Sequence, residues 1–188
     1  MGAPMTWNLP NALTGARLVC VPILAVLLVM DDPLARDAAA VIFVAAAVTD
    51  FLDGSIARRR GTTSHFGAVA DPIADKALIT VALVGLSLLG ELPWWITVVI
   101  LVREFAITVL RLAVLRHGVI PASRGGKVKT VTQIVAISMY LAVPPSAVAG
   151  LWSDLAFGVM VIAVLLTVAT GIDYVRQAYV MTRAGQRQ

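Results

Sequence analysis

Four aspartates stand close together in a sequence that is otherwise strongly apolar. Asp50 and Asp53 are three residues apart and Asp71 and Asp75 are four apart, spacings that place each pair on one face of a helix. A short basic segment with a glycine separates the pairs, so we expect two adjacent antiparallel helices. Four converging carboxylates suit hard divalent cations, which prefer oxygen ligands. The spacing therefore predicts a metal site in which two divalent ions neutralise four charges.

The four aspartates are also compatible with roles that need no bound metal. They could form salt bridges inside the membrane, with Arg58 and Lys76 as partners, or lie in a hydrated vestibule. A cation transporter would also carry aspartates within its membrane helices, but it would place them near the middle of broken helices. The aspartates of this chain lie toward one end of their predicted helices, beside a basic segment. That position favours an enzyme.

The composition is that of an integral membrane protein. The chain has 188 residues, of which 59% are hydrophobic and 14% charged, and its mean hydropathy is +0.88. Apolar runs of about 20 residues recur, the length that a helix needs to cross a bilayer, whereas a membrane β-barrel has short alternating segments. We therefore predict an all-α integral membrane protein with a single domain over residues 1–188. The single cysteine, Cys20, excludes a disulfide within the chain.

Six membrane-spanning helices are predicted. An interfacial segment over residues 1–12, in which Asn11 could cap the first helix, precedes them. The predicted spans cover residues 13–30, 36–57, 66–90, 94–116, 128–148 and 151–175. We place His65 in the loop between the second and third spans, a polar loop over residues 117–130 and a polar tail after residue 175. The second span then carries one aspartate pair near its end and the third span carries the other near its beginning.

The distribution of basic residues predicts the orientation. Six consecutive spans place the loops and termini alternately on the two sides of the membrane. The basic residues on one side are then Arg58, Arg59, Arg60, Arg116, Arg124, Lys127, Lys129, Arg176, Arg183 and Arg187. On the other side Arg36 is the one basic residue, and acidic residues predominate. Positive residues favour the cytoplasmic side of a membrane. We therefore expect a multi-pass membrane protein with both termini and the aspartate site on the cytoplasmic side.

Small residues lie about one helical turn from the aspartates, toward the cytoplasm. Gly54 and Ala57 follow the first pair by four residues each, and Gly67 precedes Asp71 by four. Missing side chains leave room for a substrate to approach the backbone, although helix packing alone also favours small residues. Arg58 can hold phosphate oxygens. Together these residues indicate a pyrophosphate-containing substrate and two-metal phosphoryl chemistry.

The pattern D-x2-D-G-x2-A-R-x8-G-x3-D-x3-D resembles the signature of the CDP-alcohol phosphotransferase family. Its fixed positions are all matched, by Asp50, Asp53, Gly54, Ala57, Arg58, Gly67, Asp71 and Asp75. Six spans with the motif across the second and third are also the architecture of that family. Residues 8–17, 71–78, 103–111 and 120–133 further resemble bacterial phosphatidylglycerophosphate synthases.

The resemblance implies a reaction of CDP-diacylglycerol with glycerol 3-phosphate that gives phosphatidylglycerophosphate and CMP. It implies that the four aspartates bind two Mg²⁺ or Mn²⁺ ions and that Asp75 also acts as the base. The implied CDP-diacylglycerol site comprises Asn11, Thr14, Asp53, Gly54, Ala57, Arg58, Ser64 and Gly67. Asn11 and Thr14 could instead cap a helix, and Ser64 could be an ordinary loop residue. A homodimer among membrane lipids is also implied, and we expect no nucleic-acid partner.

A phosphorylated acceptor requires cations, and the fourth and fifth spans offer five candidates. These are Arg103, Arg111, Arg124, Lys127 and Lys129. Membrane topology or contact with anionic lipids could instead account for the last three, and Arg103 could simply pair with the adjacent Glu104. The acceptor itself is open, because users of inositol phosphate, serine or phosphatidylglycerol share the signature.

Overall fold

The computed structural model describes the backbone of residues 9–60, 65–114, 124–142 and 144–185, and the side chains of 13–49, 74, 76–111, 113, 125–142, 144–181 and 183. Within this part of the chain all regular structure is helical. The helices are α1 (Leu9–Val29), α2 (Pro33–Arg60), α3 (His65–Leu88), α4 (Trp94–Val114), α5 (Arg124–Leu141) and α6 (Ala149–Gly185), and a 3₁₀ turn at Ser146–Val148 precedes α6. The all-α prediction is confirmed, and each predicted span corresponds in order to one helix.

Local sequence explains where α2 begins. The backbone N–H of Leu34 donates to the Asp32 carboxylate over 3.0 Å, and the N–H of Arg36 donates to the carbonyl of Asp32 over 3.1 Å. Asp32 thus caps the helix, and Pro33 occupies the first helical position, where its missing N–H costs nothing. The aspartates and proline that end the first span therefore also start the next helix.

α3 ends at Leu88 and α4 begins at Trp94, so the break falls where the third and fourth predicted spans meet. Gly90 has a φ of 74°, a left-handed conformation that glycine adopts without strain. The N–H of Ile96 donates to the carbonyl of Pro93 over 3.0 Å, which closes the first turn of α4.

Several predicted boundaries are wrong. α1 begins at Leu9 and not at residue 13, so Asn11 and Thr14 lie inside the helix and neither of them caps it. Pro10 lies in the first turn, which tolerates proline because its N–H groups have no partner within the helix. Residues 1–8 of the predicted interfacial segment lie outside the described residues.

Three further boundaries differ from the prediction. His65 is the first residue of α3 and does not belong to a loop. α5 already begins at Arg124, so the second half of the predicted polar loop is helical. α6 extends to Gly185, because the residues after 175 include alanine, arginine, glutamine and methionine, which favour helix even where they are polar.

The chain divides into two compact units. The first comprises Met1–Leu89 with Leu141–Val143, and the second comprises Gly90–Tyr140 with Pro144–Gln188. The expectation of one domain over residues 1–188 stays a prediction.

In the first unit α1 packs against both α2 and α3, and α2 contacts α3. Ala35, Ala39 and Phe43 form a buried stripe along α2 at helical spacing. α1 and α3 approach closely at Gly85, where a Cβ atom would lie 2.6 Å from Cδ1 of the buried Leu28. These contacts hold the two aspartate-bearing helices against a common partner.

In the second unit α4 packs against α6. Ile107 of α4 is buried with Tyr174 and Ala178 of α6 near the end of both helices. The start of α6 is tied to the end of α5, because the indole N–H of Trp152 donates to the carbonyl of Met139 over 2.8 Å. The end of α5 and the start of α6 are therefore held together.

The outward surfaces of the helices are apolar as well. Val98, Val102, Phe105 and Val109 are each more than half exposed and follow one another at helical spacing along α4. Such a stripe is unfavourable in water and ordinary in contact with lipid chains. Among the described residues, one helical stretch, Ser146–Met181, is both long and apolar enough to cross a membrane.

Candidate active site

The backbone places the four aspartates at matching levels of two adjacent helices. Asp50 stands ten residues before the end of α2 at Arg60, and Asp75 stands ten residues after the start of α3 at His65. Asp53 and Asp71 are seven and six residues from the same ends. Since α2 and α3 contact each other and only residues 61–64 join them, the two helices run antiparallel. At 1.5 Å per residue, one aspartate of each helix lies roughly 15 Å from the hairpin end and the other roughly 10 Å from it.

The other signature positions lie closer to that hairpin end. Gly54, Ala57 and Arg58 fall in the last seven residues of α2, and Gly67 is the third residue of α3. The side chains of the signature aspartates and of Arg58 lie outside the described part, as does Ser64 entirely. The helices therefore give the positions of these residues along the hairpin.

α1 carries the two remaining nucleotide-site candidates. Thr14 is buried in the first unit, with 1% of its surface exposed, and it has an interaction partner there. Asn11 lies one turn earlier on the same helix, and its side chain is outside the described part. Because α1 contacts both α2 and α3, it belongs to the same helical group as the four aspartates.

The donor set fits divalent metal ions. Each of two contacting helices carries two of the four aspartates, and carboxylate oxygens are the ligands that Mg²⁺ and Mn²⁺ prefer. Among the side chains that the structure describes, no other group of three or more His, Cys, Asp or Glu residues could hold a metal ion.

In the second unit, Glu104 joins two of the five acceptor candidates. Oε1 of Glu104 accepts a hydrogen bond from Nη1 of Arg103 over 3.0 Å and one from Nζ of Lys129 over 2.5 Å. The three side chains are 13%, 17% and 5% exposed for Arg103, Glu104 and Lys129. Two cations share one carboxylate oxygen, and Glu104 and Lys129 each make a further interaction. Ionisable residues inside membrane helices are paired in this way because isolated charges there are costly.

Arg103 is held at a second point by α6. Its Nη2 donates to Oγ1 of Thr170 over 2.8 Å, and that hydroxyl donates in turn to the carbonyl of Leu166 over 2.7 Å. The aliphatic part of Arg103 passes Gly171, where a Cβ atom would lie 3.3 Å from Cγ and 3.4 Å from Nε. Nε of Arg103 is buried and has no hydrogen-bond partner among the described residues.

The other three candidates differ from this pair. Nη2 of Arg111 donates to the hydroxyl of Tyr174 over 2.9 Å, and its guanidinium lies 5.5 Å from the centre of that ring, within cation–π range. Lys127 is exposed on α5, and the side chain of Arg124 lies outside the described part. The structure thus brings Arg103 and Lys129 together and leaves Arg111 on a separate aromatic partner.

Sequence reasoning missed the residues that position these cations. It paired Glu104 with its neighbour Arg103 but not with Lys129, and it assigned no role to Thr170 or Gly171. One local signal existed, since a single carboxylate between cations in an apolar helix needs a partner. The contacts of Arg103 with α6 had no local signal in the sequence, because Thr170 and Arg103 are 67 residues apart.

Comparison with known proteins identifies the family. Residues 7–169 match the family model described as CDP-alcohol phosphatidyltransferase. A probable phosphatidylglycerophosphate synthase from Mycobacterium tuberculosis is 53% identical over 174 residues, which cover 91% of this chain and 81% of that protein. The CDP-diacylglycerol–glycerol-3-phosphate 3-phosphatidyltransferase of Bacillus subtilis is 38% identical, over 89% of this chain and 93% of that protein. The enzyme of the same name from Salmonella choleraesuis is 34% identical, over 93% of this chain and 96% of that protein. This chain belongs to the CDP-alcohol phosphatidyltransferase family.

Proposed function

We propose that this chain transfers the phosphatidyl group of CDP-diacylglycerol to glycerol 3-phosphate, giving phosphatidylglycerophosphate and CMP in phospholipid biosynthesis. The observation that carries the proposal is 53% identity, over 91% of this chain, to a probable phosphatidylglycerophosphate synthase. Relatives from two further bacteria, whose names specify glycerol 3-phosphate as acceptor, cover about nine-tenths of the chain.

The family is one of membrane-bound and generally metal-dependent enzymes. We assign two Mg²⁺ or Mn²⁺ ions to Asp50, Asp53, Asp71 and Asp75, whose matching positions along α2 and α3 support a shared site. Bound ions would supply the positive charge that neutralises the pyrophosphate and the departing CMP. The aspartates hold that charge in place, and without it four carboxylates in apolar helices would repel one another.

In the proposed reaction the acceptor hydroxyl forms a bond to the phosphorus that carries diacylglycerol. The bond from that phosphorus to the oxygen of CMP breaks, and CMP leaves with the bonding electrons. The hydroxyl must lose its proton, which Asp75 accepts as general base. The remaining assignments concern CDP-diacylglycerol, which Asn11, Thr14, Asp53, Gly54, Ala57, Arg58, Ser64 and Gly67 would bind.

Arg103 and Lys129 are the best supported of the proposed ligands of the acceptor phosphate. Glu104 holds both side chains through one carboxylate oxygen. The guanidinium of Arg103 uses Nη1 and Nη2 for protein contacts, whereas its buried Nε–H has no acceptor in the described part of the chain. A phosphate oxygen would satisfy that donor, and such charge-assisted bonds are strong in a dry environment. Arg111, Arg124 and Lys127 complete the proposed set of cations.

We further propose six membrane spans, an active site on the cytoplasmic side of the inner membrane, cytoplasmic termini and a homodimer among membrane lipids. The one-sided distribution of basic residues supports the orientation. The long apolar α6 and the apolar outer stripe of α4 support the membrane setting.

The reaction is tested by product analysis of the purified full-length chain in mixed micelles. With CDP-diacylglycerol and Mg²⁺ or Mn²⁺, glycerol 3-phosphate should give CMP and phosphatidylglycerophosphate, identified by mass spectrometry. Inositol phosphate, serine and phosphatidylglycerol should give no lipid product above background. A product from one of those acceptors, but none from glycerol 3-phosphate, would show that the acceptor is misassigned.

Asp75→Asn tests the proposed base. The amide keeps the size of the side chain but cannot accept the proton, so we expect CMP release below about 1% of the wild-type rate, since general bases typically contribute a hundredfold or more. Asp37→Asn is the matched control, because Asp37 is an exposed aspartate at the far end of α2. That control should keep full activity, and near-normal turnover of Asp75→Asn would refute the assignment.

Gly171→Ala tests the role of Arg103 without replacing Arg103 itself. The new methyl group would press on the Arg103 side chain. Arg103 cannot easily move away, because its hydrogen bonds to Glu104 and Thr170 hold the guanidinium in place. We expect the KM for glycerol 3-phosphate to rise roughly threefold to tenfold, equivalent to about 1 kcal/mol, with little change in the KM for CDP-diacylglycerol. Gly158→Ala, in the same helix with nothing within 4 Å, is the control. An unchanged KM for glycerol 3-phosphate in both variants would argue against Arg103 as a phosphate ligand.

A further inference from the structure

Gln133 is a fully buried polar side chain for which the described part of the chain supplies no partner. It lies in α5 with 0% of its surface exposed, and neither Oε1 nor Nε2 has a hydrogen-bond partner there. Ala136 and Ile137, the next residues on the same face, are also fully buried. Buried amide groups are almost always hydrogen-bonded, because desolvation without a partner costs free energy. The Gln133 amide offers two N–H donors and one acceptor oxygen, all of which a bound ligand could satisfy.

The position of Gln133 along α5 relates it to the proposed phosphate ligands. Gln133 follows Lys129 by four residues, and both are buried, so they share one face of the helix. Four residues correspond to a rise of about 6 Å along the axis. Lys129 belongs to the cationic group with Arg103 and Glu104. The face therefore changes within one turn from a cation to a neutral amide.

We propose that Gln133 determines acceptor specificity by binding the secondary hydroxyl of the acceptor, an inference that rests on the proposed function. The ligand class is a small polyol phosphate monoester with a hydroxyl on the carbon beside the phosphorylated carbon. In such a molecule that hydroxyl and the phosphate are only a few bonds apart, which suits an amide one helical turn from a cation. Oε1 of Gln133 accepts a hydrogen bond from the hydroxyl group, and Nε2 donates one to the hydroxyl oxygen.

This arrangement predicts that the enzyme discriminates against acceptors that lack the secondary hydroxyl. A site that hydrogen-bonds a substrate hydroxyl rejects an analogue without it, because the buried protein groups are then left without partners. The analogue that isolates this effect is 3-hydroxypropyl phosphate, which keeps the phosphate, the chain length and the primary hydroxyl of glycerol 3-phosphate. It lacks the secondary hydroxyl alone.

The experiment compares both acceptors in the full-length wild type and in Gln133→Met. For the wild type we expect kcat/KM with glycerol 3-phosphate to exceed that with 3-hydroxypropyl phosphate by roughly a hundredfold. In Gln133→Met the ratio should fall to within about threefold of unity, mainly because glycerol 3-phosphate is used less well. The KM for CDP-diacylglycerol should change by less than about twofold, since the amide is not assigned to that substrate.

Gln177→Met is the matched control, because Nε2 of Gln177 already donates to Oδ2 of Asp173 over 2.7 Å at an exposed position. It should keep the wild-type ratio. The thermal stability of Gln133→Met without substrates should equal or exceed that of the wild type, since the exchange removes an unpaired buried amide. If Gln133→Met does not fold, Gln133→Asn serves as the test variant, because its amide lies one methylene group closer to the backbone. It should also lower the ratio of kcat/KM for glycerol 3-phosphate to that for 3-hydroxypropyl phosphate.

Two outcomes would overturn the inference and leave the proposed function standing. One is a wild-type enzyme that uses both acceptors equally well, and the other is a ratio in Gln133→Met equal to that of the wild type. Absence of CMP release with either acceptor in the wild type would instead refute the proposed function itself, and this inference with it.

Discussion

The structure depends on how charge is compensated inside apolar helices. A carboxylate in the middle of a membrane helix costs roughly 2.5–3.5 kcal/mol on insertion scales and less toward its ends, and α2 and α3 carry two aspartates each toward the hairpin end. Mutual repulsion would add to that cost. Asp50 with Asp75 and Asp53 with Asp71 stand at matching levels along the two helices. In the proposed site, divalent cations bound by these aspartates would neutralise their charge and lower that cost.

The second unit meets the same constraint with the signs reversed. Its cations Arg103 and Lys129 share the single carboxylate of Glu104, and Thr170 receives the remaining end of Arg103. These contacts connect α4 with α5 and α6, and the lack of a side chain at Gly171 lets the arginine pass.

Much of the first unit could be predicted from the sequence, because its chemistry is local. Helical spacing placed the aspartates on α2 and α3, and long apolar runs located the helices to within a few residues. Local signals failed where helix continues through polar sequence, as at Arg124 and after residue 175. They also failed for Lys129 with Glu104 and for Gln133, because contacts between distant helices, and the absence of such contacts, depend on packing. The unpaired amide of Gln133 in particular has no signature in a single sequence.

The four aspartates are proposed to act as one divalent-metal site, and counting bound ions tests this most directly. Mn²⁺ binding to the purified full-length chain, followed by electron paramagnetic resonance in the presence of CDP, should saturate at two ions per chain. Asp71→Asn should reduce that number or weaken the binding at least about tenfold, through loss of a carboxylate ligand, whereas Asp37→Asn should bind as the wild type does. Absence of saturable Mn²⁺ binding, or binding that Asp71→Asn leaves unchanged, would contradict the proposed metal site.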